Sequence, residues 1–176
     1  EMAMIVKLLG VTREDLPLLD SWLHADHVRR YWGDPEQNGR LLHKPPAGTR
    51  HALIAADDRK VGLVVWQHPS RQELDEAGLH DIPESVIDID IMVGELDVIG
   101  QGVGTAAIGL VADAALADPA VPFVIAATMV ENRASQRAFA KAGFVKDREF
   151  DDVPSGCYVL MVRHRQPPGD TAVRAH

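Results

Sequence analysis

Three groups of residues in this chain have types and spacing that could do chemistry. Asp88 and Asp90 stand two positions apart in Val86–Val93, the most strand-like run of the sequence. Alternation puts Val86, Asp88, Asp90 and Met92 on one face and Ile87, Ile89, Ile91 and Val93 on the other. Two carboxyls side by side on a central strand are costly to bury unless they meet a partner or water. So placed, they can attract a cation, orient an amine or accept its proton through water. An ordinary aspartate pKa near 3.9 matches an ammonium poorly at neutral pH. Burial and a like charge roughly 7 Å away, the spacing of alternate strand residues, would raise it. The competing reading is a solvated sheet face.

The second group is Ile99-Gly100-Gln101-Gly102-Val103-Gly104-Thr105, between that strand and the alanine-rich helix expected over Thr105–Leu116. Main-chain amides from Gln101 to Thr105 could grip an anion, helped by about half a positive charge at the helix N-terminus. No Gly-Lys-Ser/Thr follows, so this is not a P-loop, and Thr105 stands where a dinucleotide fingerprint needs its third glycine. A plain tight turn would also account for the glycines. The third group is Asn132-Arg133-Ala134-Ser135-Gln136-Arg137-Ala138-Phe139-Ala140-Lys141-Ala142-Gly143-Phe144, in which Arg137 and Lys141 lie one helical turn apart. They either meet nucleotide phosphates or stay solvated.

Charge narrows the partners. The 176 residues carry 18 Lys and Arg against 26 Asp and Glu, a net charge of −8, which argues against nucleic acid. No Lys or Arg occurs between Arg71 and Arg133, while twelve acids do, a field that attracts small cations. A solvated acidic surface is the alternative for most of them. No run reaches the ~18 apolar residues of a membrane helix, so no membrane is expected. The single cysteine, Cys157, forms no internal disulfide, in keeping with a cytoplasmic setting.

The elements that must position these groups follow from periodicity. Met4–Leu9 reads as a strand, and Thr12 as the cap of a helix whose Leu16, Leu19, Trp22 and Leu23 share a face through His24. A short helix is expected over His27–Trp32, while 33–48 gives no clear pattern. His51–Ala56 and Val61–Gln67 form a hairpin, and 69–84 reads as an acidic loop. Phe123–Met129 is a strand, Ala134–Ala142 a helix, and Phe144–Phe150 with Tyr158–Arg163 a final antiparallel pair. The expectation is one α/β domain over 1–165, its central strands covered by helices on both faces, with a frayed tail over 166–176.

The glycine loop and the Asn132–Phe144 segment resemble the Gcn5-related N-acetyltransferase (GNAT) superfamily. Its motifs are Arg/Gln-x-x-Gly-x-Gly/Ala after the fourth strand and Asn-x-x-Ser-x-Arg-x-Tyr-x-Lys-x-Gly-Phe. Ile99 departs from the first and Phe139 from the second, where a tyrosine commonly protonates the departing thiolate. Within the superfamily, Trp22-Leu23, His27-Val28, Trp32-Gly33, Asp90 and the tail hairpin are similar to aminoglycoside 6'-N-acetyltransferases. Siderophore-type lysine acetyltransferases are also similar.

The resemblance implies a mixed, mostly antiparallel sheet splayed after its fourth strand, and acetyl-CoA as co-substrate. It also implies transfer to a primary amine, most closely the 6'-amine of an aminoglycoside; with no credible nucleophile in the sequence, a ternary-complex route is expected. It places acetyl-CoA on Ile91, Met92, Val93, Gln101, Gly102, Val103, Gly104, Thr105 and Asn132, and the cationic amine on Trp32, Asp88 and Asp90. Asp90 is the expected catalytic carboxylate, and an N–H near Met92 or Val93 the oxyanion donor. Other amines, or a non-catalytic acyl-CoA-binding module made plausible by Phe139, are the alternatives. No metal is expected, because His24 and His27 lack a third ligand, and the chain is read as a monomer or homodimer. Cys157 lacks an activating partner for nucleophilic work, and Tyr158 could replace the missing tyrosine only if its strand reaches the cleft.

Overall fold

The computed structural model describes residues 4–166. Alternating hydrophobic runs form seven strands: β1 (Val6–Leu9), β2 (Arg50–Ala56), β3 (Arg59–Gln67), β4 (Ile87–Val93), β5 (Phe123–Met129), β6 (Val145–Asp152) and β7 (Gly156–His164). They make one sheet in the order β1-β2-β3-β4-β5-β7-β6, antiparallel except where β4 runs parallel to β5. Six α-helices cover it: α1 (Leu16–His24), α2 (Asp26–Trp32), α3 (Pro35–His43), α4 (Arg71–Glu76), α5 (Val103–Leu116) and α6 (Arg133–Lys141).

The β4–β5 junction decides the architecture. Six residues of β4 pair with β3, from Asp88 to Val93. Only Ile87 and Asp88 pair with β5, opposite Val124 and Ile125. Beyond Asp88 the two strands diverge, which is the expected splay, and it opens closer to the start of β4 than residue 93.

One face of the sheet is closed by α5 and α6, whose Val103, Ala107, Ile108, Val111 and Phe139 pack with Ile87, Ile89 and Val124. The other face carries two separate clusters. Leu19, Trp22, Leu23, Val28 and Leu42 cover Leu53, Leu63 and Met92. Leu74, Leu79 and Ile82 cover Val86, Ile125, Leu160 and Val162. Between them the sheet has no apolar cover, and Asp88 and Asp90 occupy that gap.

Two helices lie where periodicity was silent. In 33–48, α3 begins at Pro35, and the Asp34 carboxylate caps it by accepting from the Glu36 N–H at 3.0 Å. In the expected loop over 69–84, Ser70 caps the six-residue α4 by accepting from the Glu73 N–H at 3.1 Å. Leu74 is the one residue of α4 that is fully buried, and one apolar position is too few to show a helical period. Thr12 caps a short 3-10 turn over Arg13–Asp15 ahead of α1, and the last two strands run to Asp152 and His164. Residue 166 of the expected frayed tail is described; 167–176 lie outside the described residues.

Trp22 holds the turn that follows β4. Its indole N–H donates to Glu95 Oε1 at 3.0 Å, and a Cβ on Gly94 would stand 2.2 Å from Trp22 Cγ. Backbone and ring meet too closely for any side chain. Gly94→Ala is expected to destabilise the protein by about 1–3 kcal/mol, read as a lower urea midpoint with an unchanged slope.

Candidate active site

The divergence of β4 and β5 opens a cavity of about 320 Å³. Its walls come from α2 (His27, Tyr31, Trp32), β4 (Ile91, Met92, Val93), the glycine loop and the start of α5, and α6. The loop turns into α5 through Gly102 in the left-handed region (φ +83°), and no side chain caps the helix. The N–H groups of Val103, Gly104 and Thr105 are the unpaired donors that every helix start carries, and all three residues line the cavity. Thr105 Oγ1 donates to Ala138 O at 3.3 Å, tying α5 to α6. Asn132 accepts from the Ser135 N–H at 3.2 Å, so it caps α6 while it lines the same space.

The outward edge of β4 is closely filled. The indole N–H of Trp32 donates to Ile91 O at 3.2 Å, and His27 Nε2 lies 3.1 Å from Val93 O. The Ile91 N–H donates to Asp90 Oδ1 at 2.8 Å. Both carbonyls therefore point away from β3, and strand geometry turns the Val93 N–H the same way. Gly94 N, on the opposite side, donates to Val61 O at 2.8 Å.

Asp88 and Asp90 lie on the far side of β4, opposite Gln67 and Val65 of β3, with Ile125 beside Asp88. Asp88 is half-buried and Asp90 reaches solvent through the gap. Desolvation by the surrounding sheet and helices pushes the Asp88 carboxyl up to about 8, with added repulsion from Asp90 and Glu73. Desolvation also raises Asp90, to about 6, against the opposing hydrogen bond from Ile91 N–H.

Residues 11–152 match the family described as acetyltransferase (GNAT) domain. The chain belongs to that family. No curated protein sequence matches it significantly. Among solved structures, the aminoglycoside acetyltransferase AAC(6')-Ib in complex with coenzyme A and kanamycin is similar, with a TM-score of 0.77 at 21% identity over 92% of this chain and 96% of that one. The aminoglycoside N(6')acetyltransferase of Legionella pneumophila gives 0.69 at 18% over 93% of each chain. A spermidine N-acetyltransferase SpeG chimera, from Vibrio cholerae and hSSAT, gives 0.65 at 13% over 90% of this chain and 94% of that one. At such identities the likeness speaks for the fold.

Within this GNAT acetyltransferase the expected residues fall into two sets, one on each side of β4. Trp32, Ile91, Met92, Val93, Gly102, Val103, Gly104, Thr105 and Asn132 surround the cavity. Gln101 does not line it; its side chain turns back to donate to Asp97 O at 2.8 Å. Asp88 and Asp90 are outside the cavity, on the floor of the gap. Arg137 and Lys141 line the cavity wall. His27, a member of the His27-Val28 match and of the two-histidine pair that lacks a third ligand, is a cleft residue. His24 instead bonds Asp20 O and faces Glu36, and no cluster of metal-binding side chains exists among the described residues.

Phe139 is buried and packs edge-on against Phe144 at 5.1 Å, as core. Tyr158 stacks on Phe150 at 5.7 Å and sits opposite Met129. Burial and the nearby acids Asp151 and Glu149 push the Cys157 thiol up.

The raised carboxyl of Asp88 contributes stability that falls with pH. The native state holds a proton that the unfolded state has already lost, so this contribution is greatest below 3.8 and declines as pH rises toward about 8. Asp88→Asn removes that penalty. Its melting temperature is expected to exceed the parent's at alkaline pH and to converge with it at acid pH.

Proposed function

We propose that this chain transfers acetyl from acetyl-CoA to a primary amine of a polycationic acceptor, an aminoglycoside 6'-amine being the foremost candidate. The observation that carries the reading is the pairing of two sites across one strand. On one side are the uncapped amides of Val103, Gly104 and Thr105; on the other, two carboxyls sit on an uncovered floor.

The cavity fits the co-substrate. Three unpaired N–H groups at a helix start suit a diphosphate and require no basic side chain there, and the walls beyond, on Trp32, Ile91 and Val93, are largely apolar. When bound, acetyl-CoA supplies an activated acetyl thioester. Val93 N–H is then the donor for the acyl oxygen, and it offsets the negative charge that develops there. Between the two amides expected to serve, Met92 and Val93, strand alternation favours Val93, because Met92 faces β3.

The acceptor's charge is drawn to the two carboxyls, which lie in a stretch, 72–132, that carries no Lys or Arg. With Oδ1 engaged by Ile91 N–H, Asp90 keeps Oδ2 free to hold the ammonium and take its proton, directly or through water. Its raised affinity for protons brings it nearer the working range than an ordinary aspartate. Asp88 holds its own proton more tightly and orients a second amine or hydroxyl. Direct attack is the route, because no activated nucleophile borders the gap. Phe139 provides no proton, so the weakly basic thiolate takes one from water.

A linear polyamine is the second reading, since the acidic floor and the likeness to a spermidine acetyltransferase fold both accommodate it. Free-thiol release from acetyl-CoA with kanamycin, spermidine or lysine separates the cases. Turnover with kanamycin is expected to be strongest, and binding of coenzyme A with no release from any amine overturns the enzymatic reading. Asp90→Asn is expected to lower kcat about 100-fold or more, while Asp88→Asn acts mainly on KM.

A further inference from the structure

The uncovered strip of the sheet runs on past the two carboxyls. Gln67 of β3 stands directly opposite Asp88, and antiparallel partners share a face. On the far side of β3, Thr49 sits just ahead of β2 and donates from Oγ1 to Gln67 Oε1 at 2.6 Å. Asp88, Gln67 and Thr49 thus form a line across the sheet, and each is half-buried. Two residues along β4, Asp90 instead faces Val65, which offers no side-chain hydrogen bond. The two carboxyls therefore have different neighbours, one apolar and one an amide.

The amide of Gln67 is turned by its partner. Thr49 lies on the β2 side of Gln67 and Asp88 on the β4 side, and the Thr49 N–H anchors its backbone by donating to Pro46 O at 3.1 Å. Oxygen and nitrogen occupy opposite branches of an amide, so holding Oε1 toward Thr49 turns Nε2 toward Asp88. That nitrogen carries two N–H donors and no acceptor, and it makes no hydrogen bond among the described residues. A group bound there must accept. An ammonium only donates, so it gains nothing from Gln67. A hydroxyl does both: its oxygen accepts from Nε2 while its own proton goes to a carboxyl oxygen of Asp88. Burial raises that carboxyl to about 8, which weakens its pull on a second cation and still leaves a carbonyl oxygen for the hydroxyl.

We infer that Gln67, oriented by Thr49, is a specificity-determining residue that binds a hydroxyl of the acceptor beside Asp88 while Asp90 holds the amine. The inference rests on the acetyltransferase reading and deepens it. The acceptor is an amine that carries a hydroxyl on the same ring or short chain, as amino sugars do and linear polyamines do not. Asp88 and Asp90 are roughly 7 Å apart, as alternate strand residues are, a span that substituents of one sugar ring can bridge. An acceptor without the hydroxyl leaves the Nε2 donors unpaired, and such mismatches are rejected more strongly than a missing apolar group.

The test follows thiol release at saturating acetyl-CoA with kanamycin, which bears hydroxyls beside its amines, and with spermidine, which bears none. In the parent, kcat/KM is expected to favour kanamycin. Gln67→Leu should raise the KM for kanamycin roughly 10-fold with kcat little changed, and leave the KM for spermidine where it was. Thr49→Val, which frees the amide to turn, should act in the same direction to a smaller extent. Thr49→Ser, which keeps the hydroxyl, should match the parent. Where spermidine turns over too slowly, its inhibition of kanamycin turnover supplies its affinity. Melting curves report whether each variant is folded; if Gln67→Leu is not, the two Thr49 variants carry the comparison. Equal shifts for both amines in Gln67→Leu overturn the inference, as does a kanamycin KM left unchanged by Gln67→Leu or by Thr49→Val. No thiol release from the parent with any amine overturns the acetyltransferase reading instead, and the inference with it.

Discussion

The parting of two parallel strands after a single pair of contacts is the constraint from which the rest of this molecule follows. Parallel strands normally continue side by side, each satisfying the other's edge. Here β4 and β5 touch at Ile87–Val124 and Asp88–Ile125 and then diverge. Divergence leaves backbone groups that must find partners elsewhere. It also opens the cavity beside β4. The loop and α5 close that cavity on one face of the strand, and Asp88 and Asp90 lie on the other.

The two faces of β4 divide the chemistry by sign. One presents helix-start amides with a partial positive charge, together with Arg137 and Lys141. The other presents Asp88 and Asp90, with Glu73 close enough to raise Asp88 further. On the proposed reading, segregation of this kind keeps an anionic and a cationic molecule in separate compartments until their reactive ends meet. It also explains why a chain so poor in basic residues over 72–132 can still receive a phosphorylated molecule. The start of α5 provides positive charge there, with Arg137 and Lys141 of α6 beside it.

Much of this was legible in the sequence because the relevant signals are local. Alternation in Val86–Val93 set which face Asp88 and Asp90 share, and the glycines before Val103 marked a tight entry into a helix. The resemblance to GNAT enzymes added the splay, which no local pattern encodes because it depends on what β5 does thirty-odd residues later. What escaped notice was tertiary in origin. α4 is a short helix with one buried leucine, so it leaves no period to read. His27 looks like an ordinary polar residue on a surface helix until α2 is laid against β4. Gln101 failed in the opposite way: its place in the loop suggested the cavity, but its amide found a nearer carbonyl at Asp97.

The braced segment that flanks the carboxyl floor has an evolutionary corollary. Arg71 ties it together from inside, reaching Ile82 O at 2.9 Å, Leu79 O at 3.1 Å and Asp75 at 3.0 Å, while Arg148 grips Asp81 from β6 through two bonds of 2.7 Å. A wall fastened at so many points does not mould itself to a guest. Diversification toward bulkier acceptors would therefore proceed by shortening or replacing 71–86 as a block, since stepwise point changes would first have to dismantle its fastenings.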